Sequence, residues 1–385
     1  MKEKSLDSYR DEINRIDDEL VRLFQERMTI SGKIAEYKKE HHIPVFDAAR
    51  ERSKLADVKS KTTKEFETYT GALYSLLFEL SRSYQEKQLD RENELYRSIE
   101  RAINNSANTA FPRNATVACQ GVDGAYSQIA CDKLFGDANI LYFSTFEKVF
   151  SAVEKGLCNY AVLPIENSTA GSVKNVYDLM AKHNCYITRS TRIKVDHSLF
   201  VKEGTSLSDV KEIFSHEQAL AQCSDFLASL GKEVKITTFE NTAAAAKMVA
   251  ESDRTDIAAI SSRYCAQLYN LKSLQNSIQN NDNNYTRFIC ISKNLEIYPG
   301  ADKTSIMLTL PHRPGALYRV LARIYSIGIN LIKLESRPIP SRDFEFMFYF
   351  DLETSVYSDE FVQIICELDK LSENFRYFGS YSESI

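Results

Sequence analysis

The sequence predicts a multidomain protein with an all-α domain, an α/β domain with mostly parallel sheets, and a smaller α+β domain. At 385 residues the chain is too long for one compact core. The first hundred residues contain almost no glycine or proline, whereas short β-rich runs alternate with helical stretches from Ala115, and the pattern changes again near Pro299. These changes place the three domains at residues 1–103, 114–294 and 303–382.

Composition and charge exclude several classes of function. Apolar residues make up 43% of the chain and charged residues 26%, with a net charge of -5 and no extended basic block, so we expect no nucleic-acid partner. The charged first ten residues do not form a secretory signal, and no apolar run has membrane-spanning length, so we expect a cytoplasmic protein without a membrane partner. The eight cysteines are scattered without a C-x-x-C pair, which favours reduced thiols over disulfides or a zinc site.

An apolar seam predicts one long helix at the start of the chain. Apolar residues recur there at alternating steps of three and four: Leu6, Tyr9, Ile13, Ile16, Leu20, Leu23, Ile30, Ile34 and Tyr37. A break around Pro44 ends this helix, and two further helices are expected from about Ala48 and about Lys64. The polar stretch 104–114 is typical of a linker.

Arg27 interrupts the seam at a position where the rhythm requires an apolar residue. Taken alone, it is explained by an arginine that extends to the edge of a helical bundle. Its surroundings, R-x-x-I-x-x-I-D, then E-R, Y-K and P-V-x-D-x-x-R-E, resemble the all-helical chorismate mutases over residues 6–88. The resemblance implies eight catalytic residues: Arg10, Arg27, Lys38, Asp47, Arg50, Glu51, Ser81 and Gln85.

The chemistry of chorismate suits these residue types. Chorismate carries two carboxylates, and its rearrangement to prephenate needs no nucleophile, only a held conformer and stabilised charge on the breaking ether oxygen. By resemblance, Arg10 and Arg27 bind the carboxylates, Lys38 and Gln85 contact the ether oxygen, and the other four residues orient substrate or neighbours.

Helix geometry indicates how many chains build that site. On one straight helix Arg10 and Lys38 lie about 42 Å apart, which no small substrate spans. If both act in one site, the first helix of a second chain supplies one of them. We therefore expect an intertwined homodimer, as in the resembling family.

Four strings in the second domain carry another resemblance. GVDGAYSQIA (residues 121–130) is a turn between a strand and a helix and is weak alone. Together with LPIENSTAGSV (163–173), FSHEQALAQC (214–223) and NYTRF (284–288), it resembles the prephenate dehydratases. The resemblance implies two lobes around a cleft, similar to periplasmic binding proteins.

The dehydration of prephenate releases carbon dioxide and the ring hydroxyl, which needs a proton or a strong hydrogen bond as it leaves. Uncharged hydrogen-bond donors suit this step. A cationic side chain paired with the departing carboxylate would stabilise the ground state as much as the transition state, and the reaction would not be accelerated. The implied residues are Asn167, Ser168, Thr169, Ser215, Gln222, Thr286 and Phe288. By resemblance, Thr286 acts at the leaving hydroxyl and Arg287 binds the pyruvyl carboxylate. Glu166 and His216 are titratable alternatives, for which structural roles in tying a loop and capping a helix stay equally open.

The third domain has the β-α-β-β-α-β order of a ferredoxin-like fold. RPGAL (residues 313–317) enters a helix, where free N–H groups can receive a carboxylate, and GINLIKLESRP (328–338) supplies a strand. Both resemble the L-phenylalanine-binding motifs of ACT domains. The implied contacts are Arg313, Pro314, Gly315, Ala316, Leu317, Asn330, Leu331, Glu335, Ser336 and Arg337. A purely structural dimerisation domain is the alternative.

Together the resemblances imply a bifunctional enzyme that acts on chorismate and prephenate, is inhibited by L-phenylalanine, and forms a homodimer or homotetramer. No metal or organic cofactor is implied, and the lack of G-x-G-x-x-G argues against fusion to an NAD-dependent dehydrogenase. Two alternatives stay open: an arogenate dehydratase in the second domain, and a non-catalytic regulator that binds phenylalanine. The complete charged mutase set argues against the regulator.

Overall fold

The computed structural model describes residues 5–89, 94–231, 233–312, 314–339 and 345–384. No helix within these ranges is long and apolar enough to cross a membrane. Contacts divide the chain into two compact units. The first comprises Met1–Ser98, Leu308–Phe348 and Leu352–Arg376, and the second comprises Ile99–Met307, Tyr349–Asp351 and Tyr377–Ile385. These units do not follow the three predicted domain boundaries, which stay predictions.

Four helices form the N-terminal part: α1 (Leu6–Glu40), α2 (Ala48–Ser60), α3 (Glu67–Leu89) and α4 (Glu94–Ser106). The predicted long helix is confirmed as the uninterrupted α1, which begins where the Ser5 hydroxyl accepts from the Ser8 N–H at 3.3 Å. α1 packs on α3 through a narrow face of small residues, Ser31, Gly32 and Ala35. The nine apolar seam residues do not share this face, and each is 43–65% exposed in the single chain.

The first lobe of the second unit carries a mixed sheet of order β5-β11-β3-β1-β2, with β4 paired to β3. Its elements are β1 (Thr116–Gln120), α5 (Tyr126–Phe135), β2 (Asn139–Phe143), α6 (Phe146–Glu154), β3 (Tyr160–Asn167), β4 (Gly171–Ser172), α7 (Lys174–Lys182), β5 (Tyr186–Lys194) and, after the second lobe, β11 (Tyr285–Ser292). β1 is parallel to both of its neighbours, whereas β11 runs antiparallel to β3 and β5.

The second lobe carries a separate mixed sheet of order β10-β6-β9-β7-β8. Its elements are β6 (Ser198–Val201), β7 (Glu212–Ser215), α8 (Glu217–Gln222), α9 (Ser224–Ser229), β8 (Lys235–Thr238), α10 (Thr242–Glu251), β9 (Ile257–Ser261), α11 (Arg263–Leu268) and β10 (Lys272–Gln275). The predicted two lobes are confirmed, but the prediction of mostly parallel sheets is wrong. The chain leaves the first lobe after β5 and returns as β11, so the returning strand inserts between β5 and β3 in the opposite direction.

The C-terminal part follows the predicted β-α-β-β-α-β order. Its elements are β12 (Lys303–Thr309), α12 (Ala316–Ser326), β13 (Asn330–Pro338), β14 (Phe346–Glu353), α13 (Asp359–Leu371) and β15 (Asn374–Ser384). The four strands lie in the order β13-β14-β12-β15, with the first and third strands of the motif at the centre, as the ferredoxin-like pattern requires. The last strand, β15, also pairs in parallel with β5 through Ser382 and Arg189.

Candidate active sites

The contact between α1 and α3 brings three of the predicted mutase residues together. The Arg27 guanidinium donates to the Leu77 carbonyl at 3.2 Å and to the Ser81 hydroxyl. One turn further along both helices, the Gln85 amide donates to the Ser31 hydroxyl at 2.9 Å. Arg27 is half-buried, and burial lowers its pKa. The groups that accept hydrogen bonds from its guanidinium, the Leu77 carbonyl and the Ser81 hydroxyl, are both neutral.

Three further mutase residues lie where α1 ends and α2 begins. The Lys38 ammonium donates to the Val45 carbonyl at 2.6 Å, which ties the end of α1 to the following loop. The Asp47 carboxylate caps α2 by accepting from the Arg50 N–H at 2.9 Å, and the Arg50 side chain is exposed. Local structure thus holds the side chains of Lys38 and Asp47, whereas only the backbone N–H of Arg50 is bonded here.

Glu51 has a buried partner that the sequence reasoning missed. The guanidinium of Arg82, which is only 7% exposed, pairs with the Glu51 carboxylate and with Glu79 on its own helix, and it lies over the Phe46 ring at 5.2 Å. The available signal was an arginine directly after Ser81 on the buried face of α3.

Arg10 lies far from all of these groups. Its side chain is 67% exposed and pairs with Asp7 at 3.2 Å near the start of α1. Because α1 is one continuous helix, the distance of about 42 Å from Arg10 to Lys38 cannot be closed within a single chain.

A cleft of about 490 Å³ separates the two lobes of the second unit. Five of the predicted dehydratase residues line it: Asn167, His216, Gln222, Thr286 and Phe288. Nine further polar residues line it that were not predicted from the sequence: Gln120, Tyr126, Ser127, Ser172, His197, Gln218, Glu240, Asn241 and Thr242. Ser127 and Ser172 lie within the motifs at residues 121–130 and 163–173, and Asn241 directly precedes a helix, which is the position of a capping residue.

Hydrogen bonds orient Asn167 and Thr286. The Asn167 carbonyl oxygen accepts from the N–H groups of Thr169 and Ala170 at 3.0 and 2.8 Å. Its amide nitrogen then donates to the Asn284 side-chain oxygen at 2.7 Å and to the Thr286 hydroxyl at 2.9 Å. Because Thr286 accepts from Asn167, its own proton is available for donation into the cleft.

Glu166 and Arg287 lie on the opposite face of the same strands. Arg287 is paired across the sheet with Glu166, and its guanidinium lies 2.9 Å from that carboxylate and also pairs with Asp351. The predicted contact of Arg287 with the substrate carboxylate is therefore not supported, because alternate residues of a strand face opposite sides. For the same reason Glu166 is not placed as a proton donor in the cleft.

Ser168, Thr169 and Ser215 support the cleft without lining it. The Ser168 hydroxyl donates to the Asn283 carbonyl at 3.2 Å and accepts from the Tyr285 N–H at 2.9 Å. Thr169 contributes its backbone N–H to Asn167, as described above. The fully buried Ser215 hydroxyl donates to the Ile260 carbonyl at 2.7 Å. These hydroxyl groups hold neighbouring strands and loops, and their predicted contact with substrate has no support in this geometry.

Comparison with known proteins identifies both regions. The family model for chorismate mutase type II matches residues 9–86, and that for prephenate dehydratase matches residues 117–296. The bifunctional chorismate mutase/prephenate dehydratase of Buchnera aphidicola is 32% identical over 99% of this chain and 97% of its own length. The chain belongs to this bifunctional family of phenylalanine biosynthesis.

Two further relatives each match about 70% of the chain. Arogenate dehydratase/prephenate dehydratase 2 of Arabidopsis thaliana is 37% identical over 69% of this chain and 72% of its own length. The solved prephenate dehydratase of Arthrobacter aurescens, in complex with L-Phe, is 29% identical, with a TM-score of 0.64 over 70% of this chain and 89% of its own.

The dehydratase cleft is lined by helix N-termini rather than by cationic side chains. None of the described residues that line the cleft is lysine or arginine. The first turns or caps of α5, α7 and α10 contribute to the lining through Tyr126, Val173 and Asn241. Free N–H groups and the helix dipole make such ends favourable for carboxylates without a full positive charge.

Two histidines in the dehydratase cleft have different environments. Burial lowers the pKa of His197, so its ring is neutral, and its Nε2–H donates to the Gln222 oxygen at 3.0 Å. This bond leaves the Gln222 amide nitrogen as a donor for the cleft. His216 caps α8 by accepting from the Gln218 N–H at 3.3 Å, so the structural role considered for it is confirmed.

The predicted phenylalanine motifs lie at the start of α12 and on β13. Arg313 lies outside the described residues. Gly315 takes a left-handed φ of 80° as the cap of α12, after Pro314 and directly before Ala316 and Leu317. On β13, Leu331, Glu335 and Arg337 share the half-buried face, whereas Asn330 and Ser336 lie on the exposed face. The Asn330 amide donates to Glu353 at 2.8 Å.

Proposed function

We propose that the helical N-terminal part converts chorismate to prephenate and that the cleft of the second unit converts prephenate to phenylpyruvate. The observation that carries the dehydratase half is the oriented pair Asn167–Thr286, which presents a hydroxyl proton to a cleft whose lining includes helix ends and uncharged donors but no lysine or arginine among the described residues. The predicted domains, 1–103, 114–294 and 303–382, are the proposed functional divisions of the chain.

The mutase step is proposed to use two chains. The exposed seam of α1, which is interrupted at Arg27, offers an apolar face to the α1 of a second chain, and antiparallel packing brings Arg10 of that chain toward Lys38, Arg27 and Gln85. The arginines would hold the two carboxylates, and Lys38 and Gln85 would stabilise negative charge on the ether oxygen as it separates. Asp47, Arg50, Glu51 and Ser81 would position these groups.

The dehydratase step is proposed to proceed without a charged side chain at the departing carboxylate. The bond from the ring to that carboxylate breaks, its electron pair completes the aromatic ring, and the ring hydroxyl leaves as water. The Thr286 hydroxyl donates to the leaving oxygen, with solvent as the net proton source, because threonine is a weak acid. Gln222 and the helix N-termini bind the remaining carboxylate, which is the role predicted for Arg287.

The C-terminal part is proposed to be an ACT domain that binds L-phenylalanine and inhibits the enzyme. Its strand order, the left-handed Gly315 before α12 and the L-Phe complex of the Arthrobacter aurescens relative support this proposal. The ligand carboxylate would meet the N-terminus of α12, with the β13 motif beside it. A structural dimerisation domain would show no binding in calorimetry with L-phenylalanine.

Arogenate is the second candidate substrate, since 37% identity links the chain to an arogenate dehydratase/prephenate dehydratase. Arogenate carries an ammonium group where prephenate carries a ketone. Glu240 is the one carboxylate among the described cleft-lining residues, and it is exposed at the cleft. Because Glu240 is exposed, it is not a buried partner for that ammonium group, and the near-full-length match to a bifunctional chorismate mutase/prephenate dehydratase makes prephenate the preferred proposal.

The deciding experiment supplies purified protein with chorismate, prephenate or arogenate, with and without L-phenylalanine. We expect chorismate to disappear and phenylpyruvate to form, with phenylpyruvate formation suppressed by L-phenylalanine. Accumulation of prephenate, with turnover of arogenate only, would overturn the prephenate assignment. Binding of L-phenylalanine by folded protein without any turnover would show that the chain is a regulator.

A further inference from the structure

A carboxylate from the C-terminal part lies behind the dehydratase cleft. Asp351, near the end of β14, pairs with the Arg287 guanidinium, whose side chain is only 5% exposed. The same guanidinium lies 2.9 Å from Glu166, so one buried cation joins two carboxylates from different strands. Burial by itself lowers the pKa of Arg287, but Asp351 and Glu166 outweigh burial and raise it.

The second oxygen of Asp351 is also held. The Ser305 hydroxyl donates to Asp351 at 2.6 Å, and the hydroxyl groups of Ser305 and Tyr381 lie 2.7 Å apart. Because Ser305 has one proton and gives it to Asp351, Tyr381 must donate to Ser305. Burial raises the pKa of Tyr381, which keeps that proton in place.

Apolar side chains enclose this group of charges. They are the aliphatic side chains of Ile165, Met180, Ile187 and Ile306 and the rings of Tyr177, Tyr349 and Phe378. In such surroundings, the removal of one charged group leaves the opposite charge buried without compensation, which is strongly unfavourable and displaces the remaining side chains. The Glu166–Arg287–Asp351 triad is therefore sensitive to the loss of any member.

The triad lies at an irregularity in the sheet. Thr286 pairs with Asn167 and Arg287 with Glu166, but Phe288 pairs with Pro164, so Ile165 is an extra residue in β3. This bulge lets Asn167 and Pro164, three residues apart, both face the cleft beside Thr286 and Phe288. Bulges of this kind re-aim side chains next to active sites.

We propose that Asp351 is a positioning residue for the dehydratase reaction. By fixing Arg287 against Glu166, it holds the bulge in the register that keeps the Asn167 amide on the Thr286 hydroxyl. Asp351 never contacts the substrate and belongs to a strand outside the two lobes. The inference rests on the proposed function of the cleft, and it reassigns Arg287 from substrate binding to positioning.

The test compares Asp351→Asn, Arg287→Met and the double variant in the full chain. We expect Asp351→Asn to lower kcat for prephenate by about ten- to a hundredfold, since an active group moved by about 1 Å costs on that order, while KM changes less than about twofold. The double variant should lose no more than Arg287→Met alone, because Asp351 acts through Arg287. The milder Ser305→Ala should lower kcat by a smaller factor.

Glu383→Gln is the matched control. Glu383 is a poorly exposed carboxylate on β15 that pairs with Arg192 at 2.8 Å and Lys303 at 3.2 Å, away from the triad. It should leave dehydratase kinetics unchanged. Mutase activity in the same preparations reports the folding of the first unit, and thermal unfolding followed by circular dichroism reports whether the second unit, which holds the triad, is folded.

Three outcomes overturn the inference: unchanged kcat in Asp351→Asn, losses that add up in the double variant, or a large rise in KM in Arg287→Met, which would return Arg287 to substrate binding. If Asp351→Asn loses mutase activity as well, Ser305→Ala decides by the same criteria. If the unmodified enzyme itself makes no phenylpyruvate from prephenate, it is the proposed function of the cleft that fails.

Discussion

At the scale of single residues, the chemistry of the cleft depends on where one proton points. The Asn167 carbonyl is occupied by two backbone N–H groups, so its amide nitrogen must face Thr286. A threonine in this arrangement donates its hydroxyl proton toward the substrate, which a bare T-R-F motif does not specify.

Replacement of this hydroxyl tests its role. Thr286→Val keeps the shape and removes the donor, so we expect dehydratase kcat to fall about 10²- to 10³-fold, as for the loss of one transition-state donor. Steady-state kinetics with prephenate measure this, and Ser168→Ala, in a supporting position, should cost less. A Thr286→Val enzyme with normal kcat would contradict the assignment.

A second residue-scale prediction concerns pH. His197 is buried and neutral, with a pKa below its ordinary value of about 6.5, so the unfolded chain takes up a proton more readily than the folded one. Above the pKa that His197 has in the unfolded chain, about 6.5, this residue does not make the free energy of unfolding depend on pH. Below that pH the free energy of unfolding decreases, by up to about 1.4 kcal/mol per pH unit.

Melting temperatures between pH 7.5 and 5.5 measure this effect. The decrease should be smaller in His197→Gln than in the unmodified chain. His42→Asn, in an exposed turn, should follow the unmodified chain. Parallel pH profiles for all three proteins would refute the assignment to His197.

At the scale of elements, α1 is a 35-residue helix whose buried face consists of small residues. Its larger seam residues are half-exposed, and the burial of a leucine or isoleucine gains about 1.5 kcal/mol or more. Such a helix is stable when a second α1 covers it, and the same contact would complete the mutase site.

Complementation tests this arrangement. Arg10→Ala and Lys38→Ala should each abolish mutase activity, because each removes one residue from both sites of a symmetric dimer. Co-expressed, the two variants should recover about a quarter of the activity, since half of the dimers then carry one intact site. Arg22→Ala, which breaks only exposed pairs with Glu19 and Glu26, is the control. A mixture without recovered activity would argue for a site within one chain.

At the scale of the whole molecule, the first unit joins N-terminal and C-terminal helices through buried charges. Arg323 and Glu367, each about 1% exposed, lie 2.7 Å apart. Arg323 also donates to the Glu79 carbonyl, and Ser83 donates to Glu367. Two sequence-distant segments are therefore held together at α3, the helix that carries Ser81 and Gln85.

Loss of this arginine should destabilise the first unit. Arg323→Met leaves Glu367 buried without its cation, so we expect the free energy of unfolding to fall by about 3–5 kcal/mol. Arg254→Met, which removes a half-exposed partner of Glu212, should cost about 1 kcal/mol or less. Urea unfolding followed by circular dichroism compares the two variants. Equal urea midpoints for the two variants would show that the Arg323–Glu367 pair contributes no more to stability than an exposed ion pair.

The sequence by itself determined the long first helix, the α/β character of the second region and the β-α-β-β-α-β order of the third, whereas the two lobes were implied only by the resemblance. The helix, the α/β character and the element order follow from periodicity and from residue types whose preferences are local. If Arg10 and Lys38 act in one mutase site, helix rise also predicts a second chain, and this stays a prediction.

Tertiary structure alone decided which motif residues face the cleft. Thr286 and Phe288 face it and Arg287 does not, since the bulge at Ile165 and the antiparallel entry of β11 set the register with β3. Ser215 belongs to a predicted motif but donates to Ile260, and Asp351, far along the chain, meets Arg287. Register, the face of a strand and long-range charge pairing depend on which strands become neighbours, and local sequence does not encode that choice.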